Sequence, residues 1–329
     1  MSKIKKKAEQ VKMLLRLIRL PNMLIIILTQ VLLRYGVLVH LSSTHHTDAL
    51  SPLPDFLLLV LVTILIAAGG YIINDYYDLK MDEINKPERQ IVHLHISGKS
   101  AVKIHLILTG IATVLGFYLG FRLKSLSFAL IFPVLAGMLW FYSFRYKCIL
   151  VWGNLVVSFL SAAVVGIVWL YEFFWLRLHP DLFLEMIPNL GWITRIVLAY
   201  SLFAFLVSLI REIIKDIEDQ EGDRAGGCRT IPLVFGVKWT RVIISVLILV
   251  TIVLLGYSQV VLYRLHLLFA FGYLMMTVQV PLLYLLVKVF QAKTKSDHHY
   301  LSNLSKIIMV AGILSMQLLS AFSNTSLYD

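Results

Sequence analysis

"LLLVLVTILIAAGGYIINDYYDLKMD", residues 57–82, is an apolar run that ends in one asparagine and three aspartates. The apolar part has the length of a bilayer-spanning helix, about 20 residues. A backbone in lipid must satisfy its own hydrogen bonds, which a helix does within one segment. The rest of the chain repeats the pattern. Of 329 residues, 59% are hydrophobic and 15% charged, whereas a soluble domain carries about 25% charged residues. Comparable runs fall near 22–41, 56–74, 104–121, 126–143, 149–171, 192–210, 242–261, 265–287 and 307–323. The expected fold is all-α: a polytopic membrane protein of about nine transmembrane helices, in one domain over 1–329.

The formal net charge of +11 does not point to nucleic acid, because the basic residues sit in short loops between apolar runs rather than on a soluble face. They are a topology signal instead. With the N-terminus inside, 24 of the 30 lysines and arginines fall in inner segments and only Arg122, Lys124, Arg177 and Arg264 in outer loops. That asymmetry places the N-terminus and residues 74–82 on the cytoplasmic side of the cell membrane. The basic N-terminal segment reads as an interfacial amphipathic helix ended near Pro21. Cys148 and Cys228 lie far apart without a C-x-x-C, so both are expected to stay reduced. The histidine pairs 45/46, 93/95 and 298/299 lack nearby carboxylate or cysteine partners in a metal-ligand frame and read as loop residues. Arg34 and Arg195, within or at the start of spans, could line a cavity or meet lipid phosphate.

A second acidic stretch, "KDIEDQEGDRAGGCRTIP", begins at Lys215. Asp75, Asp78 and Asp82 follow a D-x-x-D-x-x-x-D rule, and Asp216, Asp219 and Asp223 follow it again. Four spans separate the copies, so both face the same side, as in a parallel repeat with halves at about 22–148 and 149–290 plus a ninth helix. On a continuing helix, steps of three and four keep these side chains on one face; Asn74, Asp78 and Asp82 form a second column. Two such acidic helix ends need a cation. Oxygen donors without histidine or cysteine suit Mg²⁺ or Mn²⁺, which prefer to share their coordination with phosphate oxygens. The economical ligand is a metal-bridged diphosphate, with Lys86, Arg89, Arg145, Lys147, Lys215, Arg224 and Arg229 close in sequence to supply phosphate contacts.

These residues resemble the UbiA superfamily of intramembrane prenyltransferases. The likeness rests on N-D-x-x-D-x-x-x-D at Asn74 to Asp82, "INKPER" at 84–89, the second motif at Asp216 to Asp223, "RLIRLPN" at 16–22 and "YSFRYK" at 142–147. The second motif most resembles the branch that makes archaeal-type ether-lipid precursors. Gln90 stands where a proline is common, and Arg211 where a tyrosine is usual. The resemblance implies nine helices around a central cavity that opens to lipid, and Mg²⁺-dependent loss of diphosphate from an allylic donor. It implies metal binding by Asn74, Asp78 and Asp82 and by Asp219 and Asp223, with Asp75 and Asp216 supporting them. It places the diphosphate on Lys215, with Arg89 and Lys147, while Arg145 and Arg229 are further basic candidates. The partners implied are a prenyl diphosphate, membrane lipid and a lipophilic acceptor, first a prenylglyceryl phosphate such as geranylgeranylglyceryl phosphate. An aromatic quinone precursor is the rival acceptor. An ion-coupled carrier is the rival class, although carriers hold their ions nearer mid-membrane.

Overall fold

A computed structural model of the chain describes residues 12–42, 50–85, 87, 91–92, 94 and 96–324, with side chains to residue 319. Among the described residues there is no strand, and nine helices are long and apolar enough to cross a membrane. In chain order the helices are α1 (Leu20–Leu41), α2 (Leu53–Tyr77), the short α3 (Leu79–Asn85), α4 (Gly98–Arg122), α5 (Leu126–Phe144), α6 (Trp152–Leu176), α7 (Pro180–Glu218), the short α8 (Gln220–Ala225), α9 (Ile231–Arg264), α10 (Leu268–Gln291) and α11 (Lys295–Leu319). Each expected run falls largely on one of the nine long helices, with 149–171, 265–287 and 307–323 overrunning an end by three or four residues. The sixth run lies inside the 39 residues of α7. At ~1.5 Å per residue that helix is about 58 Å long, so an end carrying Lys215 and Asp216 extends past the ~30 Å of hydrocarbon.

Local chemistry sets the ends and bends. Ser97 and Ser125 cap α4 and α5 by accepting the backbone N–H groups of Ser100 and Phe128 at 3.1 and 3.2 Å, and Thr294 with Asp297 forms a capping box on α11. Pro133 and Pro188 lie inside α5 and α7. Gly236, at φ 76°, breaks α9 where a side chain would be strained.

The chain packs as two compact units. The first comprises Met1–Ile27, Leu53–Ile149 and Glu221–Cys228. Within it α4 meets α5 along small residues four apart. A Cβ on Gly116 would stand 2.4 Å from Phe132, and one on Gly120 would stand 2.4 Å from the Ala129 Cβ. His105 Nδ1 lies 2.9 Å from the Gly69 carbonyl oxygen, joining α4 to α2. The helical residues 12–17 also belong here, and they do more than lie on an interface. Leu17 is fully buried with Ile72, Val92 and Ala101, while Leu14 and Leu15 stay exposed.

The second unit comprises Leu28–Pro52, Leu150–Gln220 and Arg229–Asp329. Its core holds an ion pair. Arg34, buried within α1, meets Glu172 of α6, and the same carboxylate accepts the Ser51 backbone N–H at 2.8 Å and its hydroxyl at 2.9 Å. Neither cavity lining nor lipid phosphate is needed to explain Arg34. Arg195 lies over the Trp192 ring at 5.4 Å. Tyr200 of α7 bonds Ser315 of α11 at 2.7 Å, and Ser161 of α6 bonds Ser208 of α7 at 3.0 Å.

Candidate active site

The first motif is a helix end with a hitch at its middle aspartate. α2 stops at Tyr77 and α3 starts at Leu79, yet the hydrogen-bond ladder runs through. The Asp78 N–H donates to the Asn74 carbonyl at 2.9 Å, and the Asp82 N–H to the Asp78 carbonyl at 2.8 Å. Asn74, Asp78 and Asp82 therefore keep their column. Asn74 Nδ2 donates to Asp78 Oδ2 at 2.6 Å. Asp75 points elsewhere: Arg19 donates to its Oδ1 at 2.7 Å, and the same guanidinium lies over the Tyr71 ring at 4.7 Å. Asn22 Nδ2 donates to the Tyr71 hydroxyl at 3.0 Å.

The second motif has the same construction. α7 ends at Glu218, Asp219 is its C-cap with its N–H bonded to the Lys215 carbonyl at 2.9 Å, and the short α8 follows. The single continuing helix expected for Asp216, Asp219 and Asp223 is therefore corrected to two helices that meet at Asp219. Gly227, at φ 72°, follows α8 in a conformation suited to glycine. Asp216 accepts from Asn154 Nδ2 at 2.8 Å. Glu218 meets His299 Nδ1 at 3.0 Å.

Although α7 lies in the second unit, Glu221 to Cys228 pack within the first. The Gly222 N–H donates to Asn85 Oδ1 at 3.1 Å, and a Cβ there would stand 2.3 Å from Asn85 Nδ2 and 2.7 Å from the Met81 carbonyl oxygen. The tail of the second motif is thus seated on α3, the helix that carries Asp82. Lys147, in the loop after α5, forms an ion pair with Asp78 Oδ2. Burial alone would depress its ammonium. The Asp78 charge and hydrogen bond, with Tyr142 and Asp223, together outweigh burial, and the group is held above the usual lysine range. One carboxylate from each motif therefore acts on one lysine. Cys148 and Cys228, expected to be apart and reduced, are brought together as a disulfide with Cα atoms 4.2 Å apart. The loops that carry them converge although 80 residues separate them in sequence.

The structure gathers Asn74, Asp75, Asp78, Asp82, Lys147 and Asp223 in the first unit; Lys215, Asp216 and Asp219 lie at the end of α7 in the second. Asp223 is buried, Lys215 is half-buried, and Arg145 and Arg229 are exposed. Arg89, Lys86, His93 and His95 lie outside the described residues, as do His45 and His46. Among the described residues no three histidine, cysteine or acidic side chains cluster closely enough to hold a metal alone. Even so, Asn74 Oδ1 and Asp78 Oδ1 are buried and accept no hydrogen bond. Two open oxygens beside a lysine fit a hard divalent cation that takes its remaining ligands from phosphate and water. Arg19, Asn22 and Asn154 were missed as site residues. Arg19 and Asn22 lie in the "RLIRLPN" stretch; nothing in the sequence marks Asn154.

Residues 35–307 match the UbiA prenyltransferase family. The chain belongs to this family. A digeranylgeranylglyceryl phosphate synthase of Methanothermobacter thermautotrophicus is 34% identical over 200 residues, which are 60% of this chain and 62% of the relative. The match to that relative thus spans less than two thirds of its length. Among solved structures, one from work on digeranylgeranylglyceryl phosphate synthase in membranes aligns at TM-score 0.60 and 23% identity, over 94% of this chain and 99% of the other. A UbiA homolog from Archaeoglobus fulgidus, bound to GPP and Mg²⁺, aligns at TM-score 0.54 and 16% identity, over 92% and 99%. These likenesses support the fold: this UbiA family member is a multi-pass, all-α membrane protein.

Proposed function

We infer that this chain transfers a prenyl group, first geranylgeranyl, from a prenyl diphosphate to the hydroxyl of geranylgeranylglyceryl phosphate. The carrying observation is the Lys147–Asp78 ion pair in the unit that also holds Asp223, with Gly222 bonded to Asn85; it supports a cation-binding place that takes an acidic residue from each motif. The name of the Methanothermobacter relative supports the acceptor, and the GPP and Mg²⁺ of the Archaeoglobus homolog support the donor class and the metal. In the reaction the donor C1–O bond breaks, the diphosphate leaves with the electron pair, the acceptor oxygen bonds C1, and the hydroxyl proton passes to solvent or a base.

Asn74, Asp78 and Asp82 would hold one Mg²⁺, and Asp219 with Asp223 the other. Bound there, the metal neutralises the charge of the leaving diphosphate. Lys147 and Lys215 hold diphosphate oxygens, with Arg89, Arg145 and Arg229 as further basic contacts. Asp75 and Asp216 act in support. Water must be kept from the allylic cation, a task suited to an apolar membrane interior. We place the site on the cytoplasmic side of the cell membrane from the lysine and arginine bias, and we read the halves 22–148 and 149–290 as a repeat. In support of that repeat, each motif breaks its helix at the middle aspartate, and each first aspartate or its turn is held by a residue near the start of its half.

The test is purified protein with Mg²⁺, geranylgeranyl diphosphate and a panel of glyceryl phosphate and aromatic acceptors, products identified by mass. A geranylgeranyl ether of the glyceryl phosphate is expected. A product only with aromatic acceptors would overturn the acceptor, and no diphosphate release with any acceptor would overturn the enzyme.

A further inference from the structure

We propose that Arg19 is a positioning residue of the donor site: it offsets the Asp75 charge, leaves Asn74 and Asp78 as the open donors of that turn, and so sets the negative charge that the diphosphate meets. This deepens the prenyl-transfer reading and rests on it.

Three contacts run from the chain at 19–22 onto one turn of α2. Arg19 pairs with Asp75 at 2.7 Å and covers Tyr71 at 4.7 Å, and Asn22 bonds the Tyr71 hydroxyl at 3.0 Å. Tyr71 and Asp75 are four residues apart on the turn that leads to Asn74 and Asp78. Arg19 itself has φ 53°, a conformation L side chains adopt at a cost. The backbone device does not need an arginine. In the second half Val151, at φ 67°, stands three residues before Asn154, as Arg19 stands three before Asn22, and Asn154 holds Asp216. A valine makes that turn. The charge on residue 19 therefore has a separate task, and its partner is Asp75. An uncompensated carboxylate there would draw in the divalent cation but repel the anionic oxygens of the diphosphate.

The experiment uses the purified full-length protein with R19Q, R19K, D75N and R19Q/D75N, measuring kcat, KM for geranylgeranyl diphosphate, half-saturating Mg²⁺ and Tm. In R19Q the donor KM should rise roughly ten-fold, half-saturating Mg²⁺ should fall, and kcat should change less. R19Q/D75N should return the donor KM to within about three-fold of wild type, and R19K should lie between, since lysine keeps the charge without the fork. A double variant no better than R19Q, or an R19Q that loses Tm with its donor KM unchanged, overturns the proposal. If R19Q does not fold, R19K decides it: a donor KM raised by less than ten-fold is expected, and a rise of ten-fold or more with the charge retained overturns it. Wild-type protein that releases no diphosphate overturns the prenyl-transfer reading, and this inference with it.

Discussion

Lys147 is held by Asp78 with Asp223 also acting on it, and its charge is secured by those neighbours rather than by exposure. Because its proton is held above the usual lysine range, the ammonium stays charged as pH rises to ordinary lysine values, and any stability it lends is lost only above them. Two residue-scale outcomes follow. Asp78→Ala or Asp219→Ala should cut diphosphate release by at least ~100-fold, the scale of losing electrostatic stabilisation of a leaving charge, while the protein still inserts and purifies. Steady-state release assays check this, and normal turnover in both variants removes the metal assignment. Lys147→Ala should raise the donor KM about ten-fold or more with a smaller change in kcat, checked by the same assay. Lys147 could be named from the sequence because it stands in the short "YSFRYK" segment. Its partners could not, because Asp78 lies 69 residues away.

At the scale of elements, the two motifs are helix ends that turn at a central aspartate and continue into a short helix. The three-and-four spacing can be read from the chain alone, since it reflects helical periodicity. The break at Asp219 and the seating of α8 on α3 reflect close packing. Gly222 is the sharpest case: its missing side chain leaves room for Asn85 and the Met81 backbone. Gly222→Ala should cost about 1–3 kcal/mol, as overpacking does, and should lower both Tm and diphosphate release. Thermal unfolding in detergent with a parallel activity assay checks it; unchanged values would mean that α8 does not sit on α3 in the working protein. The α4–α5 contact obeys the same rule at Gly116 and Gly120.

For the whole molecule, the buried Arg34–Glu172 pair behaves differently from the site charges, because both partners are sealed inside the second unit. Removing one partner strands a charge, at a cost of about 3–5 kcal/mol, whereas removing both with apolar residues of similar size costs far less. Arg34→Met should therefore lower Tm more than Arg34→Met with Glu172→Leu, as scanning calorimetry in lipid discs would show. Sidedness has its own measurement. A cysteine at Lys124 should react with membrane-impermeant maleimide on intact cells and one at Lys293 only after permeabilisation; the reverse pattern inverts the topology. The sequence by itself determined the nine spans and the acidic register, because hydrophobic length and helical period are properties of short stretches. Tertiary structure decided that Arg19 meets Asp75, that Asp78 meets Lys147 and that Cys148 finds Cys228. Those partnerships join residues 56, 69 and 80 positions or more apart, and they depend on how each helix is turned and packed, which no local pattern encodes.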